Sequence, residues 1–93
     1  MSAREGRRCA RLHAAERFRE RFGREVGVSG IRRIEAAIEA GRGTPVDKQG
    51  SRTAYRVECS DWPPVIAIFD RRLRCCITVL PVAWAARNGW CAA

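Results

Sequence analysis

Several features that would place the sequence in a familiar class are missing from its 93 residues. No run of about 18 apolar residues occurs, so we expect no membrane-spanning helix and no membrane partner. Residues 1–11 are arginine-rich and have no apolar centre, so we expect no secretory leader. The chain has a single histidine and no CxxC pair. It therefore lacks the closely spaced ligands of a zinc site, and we expect no metal or other cofactor.

Cysteine is present but odd in number, which favours a reducing compartment and hence the cytoplasm. Cys59 and Cys75 fall at apolar strand positions, where a cysteine acts as a small core hydrophobe. The sequence contains no phosphate-binding glycine loop, no HExxH and no GxSxG motif. Its acidic residues are scattered, with no pair that suggests two-metal catalysis.

Positive charge is the abundant feature. All but one of the 18 basic residues are arginine, the exception being Lys48, and the net charge is +8. Residues 1–24 hold eight arginines and three glutamates, and residues 62–93 hold four arginines and one aspartate, so the excess lies at the two ends. An excess of this kind favours a polyanionic partner, and nucleic acid is the first candidate.

Helical periodicity follows a predicted basic arm at residues 1–8. A helix is predicted over 9–22, where an apolar stripe recurs at spacings of three and four residues: Leu12, Ala15, Phe18 and Phe22. Gly23 follows at the position of a left-handed cap. A second helix is predicted over 30–40, with Ser29 as its N-cap.

Beyond the second helix the period changes to two, which predicts strands. Four strands are expected: 46–47, 53–59, 65–69 and 74–80. The segments 41–45 and 61–64 are expected to be irregular. In the last strand, alternation places Arg74, Cys76 and Thr78 on the polar face, opposite three apolar residues: Cys75, Ile77 and Val79.

Helices followed by strands with short turns predict one α+β domain over 9–81. Its two N-terminal helices pack on a four-stranded antiparallel sheet. The C-terminal tail, residues 82–93, contains Trp84 and Trp90 and is expected to form either a short covering helix or a loose end.

Few residues are suited to proton transfer or phosphate binding. His13 is the side chain whose ordinary pKa lies near neutrality, Arg17 follows one helical turn later, and Thr78 offers a hydroxyl. The three suit metal-free RNA cleavage, in which a base takes the 2′-hydroxyl proton and cations stabilise the phosphate. A solvated histidine and an ordinary strand threonine are the structural alternatives. A separate group is predicted to bind nucleic acid: Lys48, Arg52, Arg56, Arg72 and Arg74.

The layout resembles the barnase/EndoU/colicin/RelE-like group of small metal-independent ribonucleases, known mainly from bacterial, phage and mobile-element genomes. The resemblance rests on six short motifs: HAAERF at 13–18, RFG at 21–23, IEAAI at 34–38, AYRV at 54–57, VIAIFD at 65–70 and ITVLP at 77–81. The resemblance covers roughly residues 12–81. It implies His13, Arg17 and Thr78 as active-site positions.

The favoured prediction is therefore a toxin-type, metal-independent ribonuclease domain. RNA would be its first partner and an inhibitor or antitoxin protein its second. The alternative is a non-enzymatic phage or mobile-element accessory protein that binds nucleic acid or a host protein through a basic face. A third interpretation is an interaction module that uses Trp84 and Trp90. The oligomeric state stays open.

Overall fold

A computed structural model describes residues 3–60 and 62–87 of the chain. These residues form helices and strands in the following order: α1 Ala3–Phe22, α2 Gly27–Glu39, β1 Gly43–Gln49, β2 Arg52–Cys59, β3 Trp62–Asp70, β4 Cys75–Pro81 and α3 Val82–Arg87. The strands form one antiparallel sheet in the order β1-β2-β3-β4. The predicted α+β fold, with two N-terminal helices on a four-stranded antiparallel sheet, is confirmed. None of the described helices is long and apolar enough to span a bilayer.

The main core lies between the two long helices and one face of the sheet. Both layers contribute fully buried side chains to it: Phe18, Ile31, Ile34, Val57 and Val65. Alternation along β2 directs Tyr55, Val57 and Cys59 to this core, as predicted. Phe18 also packs edge-on against Trp62, with the ring centroids 5.5 Å apart. These contacts fix how the helices lie on the sheet.

Helix α1 differs from its prediction at its start and along its buried face. It begins at Ala3, so residues 3–8 are helical and do not form the predicted frayed arm. Gly6 lies against Leu73 of the β3–β4 turn, which gives these first turns a tertiary contact. Ala14 is buried, whereas Leu12 is 52% exposed. The reason is that Leu12 lies about 160° around the helix from Ala14.

Helix α2 starts one turn earlier than predicted. Its N-cap is Val26, with no side-chain capping bond, and the predicted cap Ser29 lies inside the helix. The N–H of Gly30 donates to the Val26 carbonyl oxygen at 3.1 Å. Val26 packs against the main core, which holds the additional turn in place. Gly23, with φ of 68°, occupies the predicted left-handed position after α1.

Two of the segments expected to be irregular belong to strands. Strand β1 begins at Gly43 and contains Pro45, whose missing N–H is tolerated because β1 is an edge strand. Strand β3 begins at Trp62, and the register with β2 shifts over the two prolines that follow. A proline at such an irregularity removes no regular ladder bond.

The predicted faces of β4 are wrong around Cys76. The register with β3 shifts at Ile77, so Cys76 and Val79 both reach the main core. The buried carboxylate of Glu35 accepts a hydrogen bond from the Cys76 N–H at 2.9 Å, and this contact holds the bulge. Thr78 pairs with Ile68 and therefore stands on the face away from α1 and α2.

The second face of the sheet is partly covered. Val82, Trp84 and Ala85 of α3 pack in a small cluster with Ile66 and Leu80. Of the two outcomes expected for the tail, the covering helix is therefore found over 82–87. Trp84 is half-buried against the sheet, and Trp90 lies outside the described residues.

Candidate functional site

Helix α1 lies along the edge strand β4 and has two flanks beside its buried face. One side lies next to β4, and we call it the edge flank. At about 100° per residue, it carries His13, Arg17 and Arg21 one after another. The side next to α2, about 130° around the helix from the edge flank, is the groove flank and carries the arginines of the N-terminal turns: Arg4, Arg7, Arg8 and Arg11. Three contacts place the flanks: Gly6 with Leu73, Arg21 with Thr78, and Arg11 with Glu35.

Arg21 joins the edge flank to β4. Its Nη1 atom donates to the Thr78 hydroxyl oxygen at 3.1 Å and to the Val79 carbonyl oxygen at 2.7 Å. Because β4 is an edge strand, a side chain from α1 can reach over it to Thr78 on the far face. The Thr78 hydroxyl accepts this bond and keeps its own proton for another acceptor. The Nη2 and Nε atoms of Arg21 take no part in these two bonds, so their N–H groups are further donors beside the Thr78 hydroxyl.

The other predicted catalytic residues lie on the same flank but at a distance from this contact. His13 is exposed and lies seven residues after Gly6, hence only about 20° from it around the helix. It therefore lies along the flank between the Leu73 contact and the Thr78 contact. Arg17 donates to Glu20 at 2.7 Å, and this hydrogen bond raises the pKa of Arg17.

Arg21, and not Arg17, is thus the arginine that meets Thr78. Sequence reasoning missed this role. The spacing of four residues from Arg17 placed Arg21 on the same flank, but the position of β4 beside it required the tertiary structure. Glu20 offsets the charge of Arg17, whereas Arg21 has no salt bridge to a carboxylate of residues 3–60 or 62–87.

Four of the five predicted nucleic-acid-binding residues lie at one end of the sheet, where the β1–β2 and β3–β4 turns meet. The N–H of Arg71 donates to the Ser51 carbonyl oxygen at 2.8 Å and joins the two turns. The four residues of this turn end are Lys48, Arg52, Arg72 and Arg74. Because Gly6 contacts Leu73 in the same turn, the two basic ends of the sequence meet in space.

Asp70 organises the turn end. Its buried carboxylate accepts hydrogen bonds from the N–H groups of Arg72 at 2.8 Å and Leu73 at 3.3 Å, and Arg52 Nε lies 3.5 Å away. Burial alone would raise the pKa of Asp70, but these N–H groups and the Arg52 charge together lower it. The ionised carboxylate therefore shapes a turn whose side chains are mainly basic.

Arg56 is the exception within the predicted group. It lies in the middle of β2, paired with Ile66 across the sheet. Its Nη2 atom is 3.4 Å from the Glu58 carboxylate, and its buried Nε has no hydrogen-bond partner. Arg56 is therefore separate from the turn end.

Comparisons with known protein families, with curated proteins and with solved structures find no significant match to this chain. Within residues 3–60 and 62–87, no three His, Cys, Asp or Glu side chains lie close enough to hold a metal ion together.

Proposed function

We propose that this protein cleaves RNA at the edge flank of α1 without the help of a metal ion. The observation that supports the proposal most directly is the Arg21–Thr78 contact. It pairs a guanidinium with a hydroxyl on an accessible strand edge, which is a donor set suited to a phosphate oxygen. His13 lies on the same flank, eight residues before Arg21, and supplies an imidazole nitrogen as the proton acceptor.

The proposed reaction is an internal transesterification. The 2′-hydroxyl oxygen attacks the adjacent phosphorus while His13 takes its proton. The bond from phosphorus to the 5′ oxygen breaks, and that oxygen takes a proton from a water molecule as it leaves. His13 then returns its proton to the solvent, so no net proton is gained or lost. Arg21 and Thr78 stabilise the additional negative charge on the phosphate in the transition state. The products are a 2′,3′-cyclic phosphate and a 5′-hydroxyl.

The test is incubation of the purified protein with a labelled RNA in EDTA, followed by analysis of the product ends. We expect cleavage with cyclic phosphate ends, and no cleavage of the matching DNA, which lacks the attacking hydroxyl. A folded protein that leaves the RNA intact would overturn the proposal.

Variants then test the assigned residues. We expect His13→Ala to lower the cleavage rate by roughly 100-fold or more, and Thr78→Val, which keeps the branched shape, to lower it by roughly 10- to 100-fold. Leu12→Gln is the matched control because Leu12 is exposed and adjacent but lies on the solvent side of the helix. If the His13→Ala protein cleaves RNA at the wild-type rate, His13 has no catalytic role.

A second candidate function is binding of nucleic acid without cleavage. The observation that favours it is the convergence of Lys48, Arg52, Arg72 and Arg74 at the turn end. It predicts that Lys48→Gln/Arg72→Gln weakens RNA binding and reduces its salt dependence, whereas His13→Ala leaves binding intact. Equal binding by wild type and the double variant would reject the turn end as the interface.

A further inference from the structure

An arginine groove runs between the first turns of α1 and the start of α2, along the groove flank. It has a volume of about 770 Å³. Five arginines line it: Arg4, Arg7, Arg8 and Arg11 from α1 and Arg32 from α2. Glu5 is the one acid among the described lining residues, so the wall of the groove is strongly positive.

The α1 arginines of the groove form a regular row. Positions 4, 7, 8 and 11 follow the i, i+3, i+4, i+7 spacing of a single helix face, so the four arginines lie within two turns, over about 10 Å of the helix axis. Like charges at these spacings destabilise a helix. A row of four is therefore a cost to the fold when nothing anionic occupies the groove.

One member of the row is fixed by the fold and the others are not. Arg11 forms a two-pronged contact with the buried Glu35 carboxylate, with Nη2–Oε1 at 2.7 Å and Nε–Oε2 at 3.0 Å. No salt bridge joins Arg4, Arg7, Arg8 or Arg32 to another described residue. Four guanidinium groups are therefore available to an external anion.

We propose that this groove binds the phosphodiester backbone of a nucleic-acid strand. The row spreads its positive charges over about 10 Å along one helix face, which matches a chain of repeated phosphates better than a single anion. Val28 is the one apolar side chain among its described lining residues. A helix that binds a lipid surface instead presents a broad apolar face beside its basic residues, and the described part of the groove has none.

Binding in the groove can be measured separately from the proposed cleavage, because a strand is bound here through its phosphates and not through its 2′-hydroxyls. The test uses a labelled 2′-O-methyl RNA of about 20 nucleotides, which the proposed reaction does not cleave. Binding is measured by fluorescence anisotropy over a series of salt concentrations, with wild type and Arg8→Gln/Arg32→Gln. A failure of cleavage and a failure of this binding site are therefore seen separately.

We expect the double variant to bind at least about tenfold more weakly at 0.1 M salt. The slope of log Kobs against log salt should fall by about 1.4, because each lost phosphate contact on a single strand contributes about 0.7. Arg8→Lys/Arg32→Lys should restore most of the slope because it restores the charges. The matched control is Arg19→Gln/Arg42→Gln, which removes two exposed arginines outside the groove.

Two results would overturn the proposal. One is an equal loss of affinity in the groove and control variants, which would make the effect one of net charge. The other is groove-dependent binding to phosphatidylserine vesicles together with unchanged RNA binding, which would assign the groove to a membrane surface. Circular dichroism of each variant establishes that the fold is intact, so a weaker signal cannot come from unfolding.

Discussion

The two flanks of α1 use their arginines in different ways. On the edge flank, Arg21 is bonded to Thr78 and Val79 of β4, and Arg17 is paired with Glu20. On the groove flank, Arg11 alone has an acidic partner among the described residues, Glu35. The edge flank thus carries arginines that make contacts within the fold, whereas the groove flank carries a row in which only Arg11 has an acidic partner among the described residues. The difference shows that the net charge of +8 has a structural part and an available part.

The largest effect is expected where the groove flank is anchored. Glu35→Ala leaves Arg11 without its partner and the Cys76 N–H without its acceptor. Breaking a buried ion pair from one side typically costs 3–5 kcal/mol. Because Arg11 is itself partly exposed, we expect a loss of about 3 kcal/mol, measured by urea unfolding. Glu35→Gln keeps an acceptor for Cys76 and should lose less. Equal small losses in both variants would contradict the anchoring role.

An intermediate effect is expected at the turn that supports the start of α1. The pKa of Asp70 is lower in the folded protein than its ordinary value of 3.8. Ionised Asp70 therefore stabilises the fold above that value, and the stabilisation is lost as the pH falls from 3.8 through the folded-state pKa. Asp70→Asn should cost about 1 kcal/mol at pH 7 and flatten the acid limb of an unfolding-versus-pH curve. An unchanged acid limb would be inconsistent with the contacts of Asp70.

Smaller effects on stability, of opposite sign, are expected from removing one arginine on each flank. Arg21→Gln removes two hydrogen bonds to β4, and we expect a loss of about 1 kcal/mol. Arg8→Gln removes repulsion within the groove row and should raise the free energy of unfolding by about 0.2–0.5 kcal/mol. Thermal unfolding at low salt measures both, and added salt should reduce the Arg8 effect. Effects of the same sign on the two flanks would remove the distinction between them.

The smallest effect is expected on the solvent side of α1. Leu12 is 52% exposed, so Leu12→Gln should change the free energy of unfolding by no more than about 0.5 kcal/mol. A much larger loss would mean that Leu12 is buried as part of the apolar stripe, as the sequence pattern predicts.

The class of fold could be predicted from sequence because it depends on local periodicity. The change from a period of 3.6 to a period of 2 after α2 separated helices from strands, and short turns implied antiparallel pairing. The bulge at Ile77 could not be predicted, because it depends on a carboxylate from α2 that meets the Cys76 N–H across the core. Pro45 was expected in a loop because a single sequence does not identify an edge strand.

The residues of the two proposed surfaces could be predicted from sequence to different extents. The edge flank needed the packing of α1 along β4, so Arg21 was missed although Thr78 was singled out. The arginine row needed only a helix that starts at Ala3. Its spacing was visible in the sequence, but the segment has few apolar residues and was expected to be a frayed arm. Helix propensity and the Gly6–Leu73 contact extend the helix where hydrophobic periodicity does not.

The most direct test of the two-flank account measures RNA cleavage under single-turnover conditions across a range of protein concentrations. Arg8→Gln/Arg32→Gln should raise the concentration for half-maximal rate by about tenfold or more, with a much smaller change in the maximal rate. His13→Ala should lower the maximal rate by roughly 100-fold, with a much smaller change in the half-maximal concentration. If the groove variant changes the maximal rate alone, or if the wild-type protein does not cleave RNA, the account is contradicted.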